Sequence, residues 1–133
     1  MNPRSTLAVL AIAGLGLALP RPAAAAEARV FAHDVYFTLR DASPEAARKL
    51  VDACRRHLAG HEWTVFFAAG VRAAEMARDV NDRGYDMSLH VYFRDRAAHD
   101  AYQEHPRHKQ FIAEMSASWK TVRVFDSCVE TIR

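Results

Sequence analysis

The chain has 133 residues, of which 50 % are hydrophobic, 26 % are charged and 10 % are aromatic, a composition that indicates one small globular domain and excludes a disordered tail or a repeat array. The formal net charge is +2, but Arg4 and Arg21 lie in the first 26 residues, which contain no acid, and in the remaining chain basic and acidic residues balance. A chain without excess positive charge is not expected to bind nucleic acid or to dock electrostatically on an anionic membrane.

Residues 1–26 have the pattern of a secretory signal peptide. Arg4 precedes the uncharged run of residues 7–19, and small alanines lead up to Ala26. A membrane anchor is the alternative, but the apolar run is shorter than the ~20 residues that a spanning helix needs. No cysteine occurs before Cys54 that could carry a lipid near the cleavage site. We therefore predict cleavage near Ala26, export, no stable membrane anchor, and one domain over residues 27–133.

Strand and helix patterns alternate along that domain. The predicted elements are a strand at residues 29–39, a helix from Ser43-Pro44 to Gly60, strands at residues 63–71 and 85–93, a helix at residues 96–104 capped by Asp95, a helix opened by Pro106 that includes Trp119, and a strand at residues 121–127. The order β-α-β-β-α-β, with the second helix split at Pro106, predicts an α+β subunit of ferredoxin-like type. Such a subunit has an antiparallel sheet with helices on one face.

The other face of the predicted sheet is too apolar to face water. It would carry Ala32, Tyr36, Phe66, Tyr92 and Phe125. Pairing of two such faces would cover them, so we predict a homodimer.

Three polar rings are predicted to converge between the sheet and the helices. His108 precedes Phe111 and Ile112 by three and four residues, so it shares their inward helical face. Tyr102 lies on the other side of the Pro106 break. His33 shares a strand face with apolar residues. An imidazole there could take a proton next to a carbonyl, and a phenol could hydrogen-bond the resulting enolate oxygen. The alternative for each ring is an ordinary core position, with the imidazole bonded to backbone carbonyls.

The remaining histidines suggest little chemistry. His105 is expected to cap the helix that Pro106 opens. His105 and His108 have a spacing that a metal could use, with His33 as a third ligand, but Pro106 between them argues against it, and we expect no metal or cofactor. The other four, at positions 57, 61, 90 and 99, are expected in solvated or rim positions.

Two further features leave alternatives open. Cys54 lies on the apolar face of the first helix and Cys128 follows the last strand, so we expect no disulfide, although export would permit one. Residues 76–82 are either a lid over the pocket or a long hairpin loop.

Several stretches together resemble the stress-responsive α/β-barrel (Dabb) family. They are the opening strand HDVYFTLRD, the tract GYDMSLHVYFRDRAAHDAYQEHPRHKQFIAEM and the tail KTVRVFD. The resemblance implies a ferredoxin-like subunit that pairs into a dimeric α/β barrel. It also implies site residues. One plant branch of the family cyclises polyketides without cofactor or metal, using a Tyr and the second His of HPxH. These two correspond here to Tyr102 and His108, and the first-strand His of the family corresponds to His33.

Four functional hypotheses follow from these observations. The first is an exported, stress-associated homodimer with a cavity for a small apolar or phenolic molecule and no defined reaction. The second is a cofactor-free cyclase or lyase with His108 as the base and Tyr102 as the orienting donor. The third is haem or oxygen chemistry, since related dimeric α/β barrels include monooxygenases, and the fourth is a purely structural oligomer.

Overall fold

The computed structural model describes residues 28–131, so the predicted leader at residues 1–26 lies outside the described residues. The strands are β1 Ala28–Leu39, β2 Thr64–Val71, β3 Met87–Phe93 and β4 Trp119–Thr131; the helices are α1 Pro44–Leu58, α2 Arg96–Glu104 and α3 Pro106–Met115, followed by a 3-10 turn at Ser116–Ser118. Within this described range, none of the helices is both long and apolar enough to cross a membrane.

The four strands form one antiparallel sheet in the order β2-β3-β1-β4. The first and last strands of the chain are therefore neighbours, and β1 occupies an inner position. Together with the element order, this topology confirms the predicted ferredoxin-like α+β fold.

The helix starts follow the chemistry that the sequence indicated. Ser43 and Asp95 each accept a hydrogen bond from the backbone N–H three residues ahead, at 3.2 Å and 2.8 Å. His105 Nδ1 accepts from a backbone N–H two residues ahead at 3.1 Å, so His105 caps α3 as predicted. Pro44 and Pro106 occupy the first helical positions, where a missing N–H costs no intrahelical bond.

The helices cover one face of the sheet, and the core lies between them. Its largest fully buried side chains are Leu50, Cys54, Leu58, Met87, Leu89, Val91 and Phe93. The outer strand β4 is less covered on this face, where Val122 and Val124 are 39 % and 50 % exposed. A groove therefore remains between β4 and the helices.

The opposite, helix-free face of the sheet carries the aromatic residues that the sequence placed there. Ala32 pairs with Tyr92, Tyr92 with Phe66, and Asp34 with Phe125, so these residues share one face. Phe66 and Phe125 are 50 % and 51 % exposed. We call this surface the open face.

The predicted elements differ from the structure at Trp119 and at the end of β4, which continues to Thr131 instead of ending at residue 127. The 3.6-residue spacing placed Trp119 on the helix with Phe111, but α3 ends at Met115 in a 3-10 turn and Trp119 begins β4. The indole still packs against Phe111 and Phe37, with ring centroids 5.7 Å and 5.2 Å apart. The apolar contact is thus made from a strand rather than from a helix.

Candidate functional site

A pocket of about 170 Å³ lies between the α2–α3 break and the inner side of β1 and β4. We call it the Tyr102–His108 pocket. His33, Val35, Phe37, Leu58, Leu89, Tyr102, Gln103, His108, Phe111, Ile112, Trp119, Val122 and Val124 line it. All three residues that the sequence singled out, His33, Tyr102 and His108, are therefore brought to one place.

The Pro106 break is the reason that Tyr102 and His108 meet. On one continuous helix, residues six apart differ by about 240° around the axis and cannot face the same point. Here His105 adopts extended backbone between α2 and α3, and the helix direction changes. As a result the rings of Tyr102 and His108 lie 4.6 Å apart.

Tyr102 contributes a buried hydroxyl to the pocket wall. The residue is 2 % exposed, and its Oη has no hydrogen-bond partner among residues 28–131. Burial raises the pKa of the Tyr102 phenol well above its ordinary value, so the group is a neutral hydrogen-bond donor at any physiological pH. Its ring packs against Phe93 at 4.9 Å and His61 at 5.0 Å, which fixes its position.

His108 is a neutral imidazole in this environment. It is 8 % exposed, and its Nδ1 has no hydrogen-bond partner in the described part of the chain. Burial lowers the pKa of His108 to about 4, the Gln103 backbone opposes this shift, and the neighbouring His33 and His61 add to it. At neutral pH His108 therefore offers the pocket an uncharged ring that can accept or donate a hydrogen bond.

His33 is held by a carboxylate across the sheet. It is 6 % exposed, and its Nδ1–H donates to Asp126 Oδ1 at 2.6 Å, directly opposite it in the β1–β4 register. Burial lowers the pKa of His33, while the hydrogen bond and the charge of Asp126 oppose that shift. The sequence analysis did not predict a role for Asp126. Its alternation with Val122 and Val124 on one face of the last strand was the signal that could have placed it beside His33.

Trp119 adds a third polar atom without a partner. Its Nε1–H is buried and finds no acceptor among the described residues, as is true of the Tyr102 hydroxyl and His108 Nδ1. The rest of the wall is mainly aliphatic and aromatic carbon. The pocket thus combines an apolar lining with a few polar atoms, the usual make-up of a small-molecule site.

Of the four histidines expected in solvated or rim positions, His61 is buried, so the expectation is wrong for that residue; His57, His90 and His99 are half-buried at the rim, each with a polar partner. His61 is 8 % exposed and donates from Nε2 to the carbonyl of His57 at 2.9 Å, and His57 bonds Glu114 at 2.8 Å. His90 bonds Asp34 at 2.5 Å on the open face, and His99 bonds its neighbour Asp100 at 3.1 Å. Glu114 and Asp34 are distant in sequence from His57 and His90, so these two partners gave no local signal.

The loop between β2 and β3 does not cover the Tyr102–His108 pocket. Residues 80–82 lie against the open face, where they help to line a second cavity of about 370 Å³ with Tyr36, Tyr85 and Arg123. Asp82 ties the loop to β4, since Arg123 Nη1 donates to its carboxylate at 2.8 Å. Of the two alternatives for this segment, the structure shows the hairpin loop.

Known proteins share this architecture. Residues 31–129 match the model of a family described as the Stress Responsive A/B Barrel Domain. No curated protein matched the sequence. Among solved structures, a dimeric ferredoxin-like protein of unknown function from Thermobifida fusca aligns with a TM-score of 0.64 at 17 % identity, over 76 % of this chain and 92 % of its own.

Two further solved structures extend the comparison. A Dabb family protein with a ferredoxin-like fold from Mesorhizobium loti gives a TM-score of 0.61 at 20 % identity, over 74 % of this chain and 95 % of its own. A hydroxynitrile lyase from Passiflora edulis gives 0.61 at 14 % identity, over 75 % and 93 % of the two chains. At these identities the likeness establishes the shared fold.

Proposed function

The chain belongs to the stress responsive A/B barrel domain family, and we propose that it acts as an exported homodimer that holds one small, largely apolar molecule in each Tyr102–His108 pocket. The observation that carries the proposal is the set of three buried polar atoms, on Tyr102, His108 and Trp119, that lack partners among residues 28–131. A buried polar group without a partner costs about 1–3 kcal/mol. A ligand with one polar end would recover part of that cost.

The size of the pocket restricts the ligand. A cavity of about 150 Å³ in another protein accepts benzene, and the Tyr102–His108 pocket measures about 170 Å³. One substituted ring therefore fits. The polar atoms favour a ring that bears a hydroxyl or carbonyl group, of which phenol is the simplest example.

The open face supports the homodimer. Two aromatic pairs lie on it, Phe66 against Tyr92 and Phe125 against Tyr36, with ring centroids 5.3 Å and 5.7 Å apart, and Phe66 and Phe125 are half-exposed. Large exposed apolar side chains grouped on one face favour an interaction site. The Thermobifida fusca structure is described as dimeric, which favours a second copy of this chain as the partner.

Export is proposed from residues 1–26 alone. Their short basic start, apolar run and small residues before Glu27 match a cleavable leader. Intact mass measurement of the protein recovered from outside the cytoplasm is expected to give a chain beginning at Glu27. A chain retaining Met1 in the cytoplasm would contradict export without affecting the pocket.

Native mass spectrometry and NMR would test assembly and binding together. We expect gently purified protein to be a dimer, and we expect phenol to shift the amide signals of Val122, Val124 and Ile112. Toluene, which has the same ring without the hydroxyl, should bind about 5–10-fold more weakly, because one hydrogen bond contributes about 1 kcal/mol. If neither compound shifts these signals at millimolar concentration, the binding proposal is wrong.

A second candidate function is cofactor-free proton transfer, with His108 as the base and Tyr102 as the hydrogen-bond donor to the substrate oxygen. The neutral His108 ring, 4.6 Å from the Tyr102 ring, favours it. The fold also occurs in a hydroxynitrile lyase. However, a general base works best with a pKa near the operating pH, and the pKa of about 4 for His108 makes it a weak base. For this reason we favour ligand binding over proton transfer as the function of the pocket.

Exchange of hydrogen for deuterium would separate the two candidates. In D₂O, a base beside a bound ketone exchanges the protons next to the carbonyl, and cyclohexanone is small enough for the pocket. The enzyme hypothesis expects exchange above the buffer rate that His108→Ala abolishes and His105→Asn leaves intact. Binding of cyclohexanone without faster exchange would exclude this mechanism and leave the binding proposal standing.

A further inference from the structure

We propose that His33, His99 and Asp126 form a binding site for a divalent transition-metal ion, with Zn²⁺ as the best match. Within residues 28–131, these three side chains are gathered so that one ligand atom of each lies within 4.8 Å of those of the other two. They come from β1, α2 and β4, and His33 also lines the Tyr102–His108 pocket. The inference is independent of any ligand in that pocket.

The geometry requires only small adjustments. Two ligands on a tetrahedral Zn²⁺, each about 2.0–2.1 Å from the ion, lie about 3.3 Å apart. His33 Nδ1 and Asp126 Oδ1 are already 2.6 Å apart. No two of the three ligand atoms are more than 4.8 Å apart, which exceeds this ideal ligand–ligand distance by about 1.5 Å at most. The side chain of Asp126 is 42 % exposed, so its rotation can move the carboxylate over that distance.

The two imidazoles are held in place by their surroundings. His99, whose side chain is 12 % exposed, packs between Phe31 and Phe93 at 4.7 Å and 5.6 Å, and its Nδ1 bonds the carboxylate of Asp100 at 3.1 Å. Its Nε2, the atom left for a metal, accepts a hydrogen bond from the Gln103 amide at 3.1 Å, and the ion would replace that bond. A carboxylate on the far nitrogen of a ligating histidine is the usual second partner in zinc sites. The rings of His33 and His99 are 4.9 Å apart.

The donor set selects the class of metal. Two imidazoles and one carboxylate suit Zn²⁺, Co²⁺ or Fe²⁺, whereas Mg²⁺ and Ca²⁺ prefer oxygen ligands. Three protein ligands leave at least one coordination position for water. The carboxylate of Asp126 is half-exposed, so an ion can reach the site from solvent.

Titration of the untagged, chelator-treated protein with Zn²⁺ alone would test the site by calorimetry. We expect one ion per chain, with an affinity that falls by more than about 100-fold in His99→Ala and in Asp126→Asn, since even outer partners of a zinc site contribute about 10–100-fold. Asp100→Asn should give the smaller, outer-partner effect. Co²⁺ bound to the protein should show the visible absorption of a four- or five-coordinate ion, and His99→Ala should remove it.

His105→Asn is the matched control, because it removes an exposed imidazole but keeps an acceptor that can cap α3. It should bind Zn²⁺ as the unmodified protein does. Loss of binding in this variant would instead favour the His105–His108 pair. Absence of stoichiometric Zn²⁺ binding, or binding that is unchanged in both His99→Ala and Asp126→Asn, would overturn the proposal. Asp126 is exposed on an outer strand, so Asp126→Asn is expected to fold.

Discussion

Replacement of Tyr102 by phenylalanine should make the free protein more stable. The hydroxyl is buried and has no partner in the described part of the chain, so the folded state carries its full desolvation cost, about 1–3 kcal/mol. Phenylalanine keeps the ring contacts with Phe93, His61 and His108 and opens no cavity larger than one oxygen atom. The expected gain is therefore about 1–2 kcal/mol in the free energy of unfolding.

Urea unfolding at a fixed protein concentration would measure this gain, since the stability of a dimer depends on concentration. In a thermal scan, a domain of this size should gain about 4–8 °C in Tm for each kcal/mol. Tyr85→Phe is the control, because the Tyr85 hydroxyl is not among the buried atoms without a partner. It should change stability by less than about 0.5 kcal/mol.

The same substitution should weaken phenol binding while it stabilises the protein. Loss of one hydrogen bond to the ligand, about 1 kcal/mol, corresponds to a roughly 5–10-fold higher Kd. Opposite signs for stability and affinity would be difficult to explain if Tyr102 were only a core residue. A loss of about 1 kcal/mol or more in Tyr102→Phe would show that the hydroxyl is already hydrogen-bonded in solution, and the reasoning from an unpaired group would fail.

Three further predictions concern assembly, pH and thiol chemistry. Phe125→Glu should convert the dimer to a monomer in sedimentation experiments. Val71→Glu is the control and should leave the dimer intact, because Val71 is similarly exposed but lies on the helix side of the sheet. A dimer that tolerates Phe125→Glu would exclude the open face as the interface. Because burial lowers the pKa of His108 to about 4 from ~6.5 in the unfolded chain, the unfolded state binds more protons between these values. Stability should therefore fall by about 2 kcal/mol from about pH 7 to about pH 5. His108→Gln should flatten that fall in urea unfolding, and an unchanged slope would contradict the assignment. Finally, iodoacetamide should modify only Cys128 in the native protein, because Cys54 is buried with its pKa raised to about 12; mass spectrometry showing two adducts before unfolding would contradict this.

Local sequence signals were sufficient for the fold. Capping residues, the two prolines that open helices and the period-two strands identify each element, and their order leaves few topologies. Trp119 was misplaced because an apolar residue four positions after Met115 fits a helical face as well as a strand start. The indole meets Phe111 in either case, so hydrophobic periodicity could not separate the two.

Only part of the candidate site could be predicted from the sequence. Tyr102 and His108 could be paired because the break that joins them lies between them in the chain. Asp126 and His99 were missed, since their nearness to His33 depends on the β1–β4 register and on where α2 crosses the sheet. Both are set by packing over long sequence separations. The positions of Cys54 and Cys128 favoured two free thiols, and both cysteines are free in the structure.

Strand β4 presents the two proposed sites on alternate residues. Val122 and Val124 face the pocket, while Arg123 and Phe125 face the surface on which a second copy is proposed to sit. A molecule that displaces this strand from the pocket side must therefore alter the association of the subunits. Reciprocity then requires that association alter the affinity for that molecule by the same factor. Ligand binding and dimerisation would thus be coupled equilibria, because both depend on the position of β4.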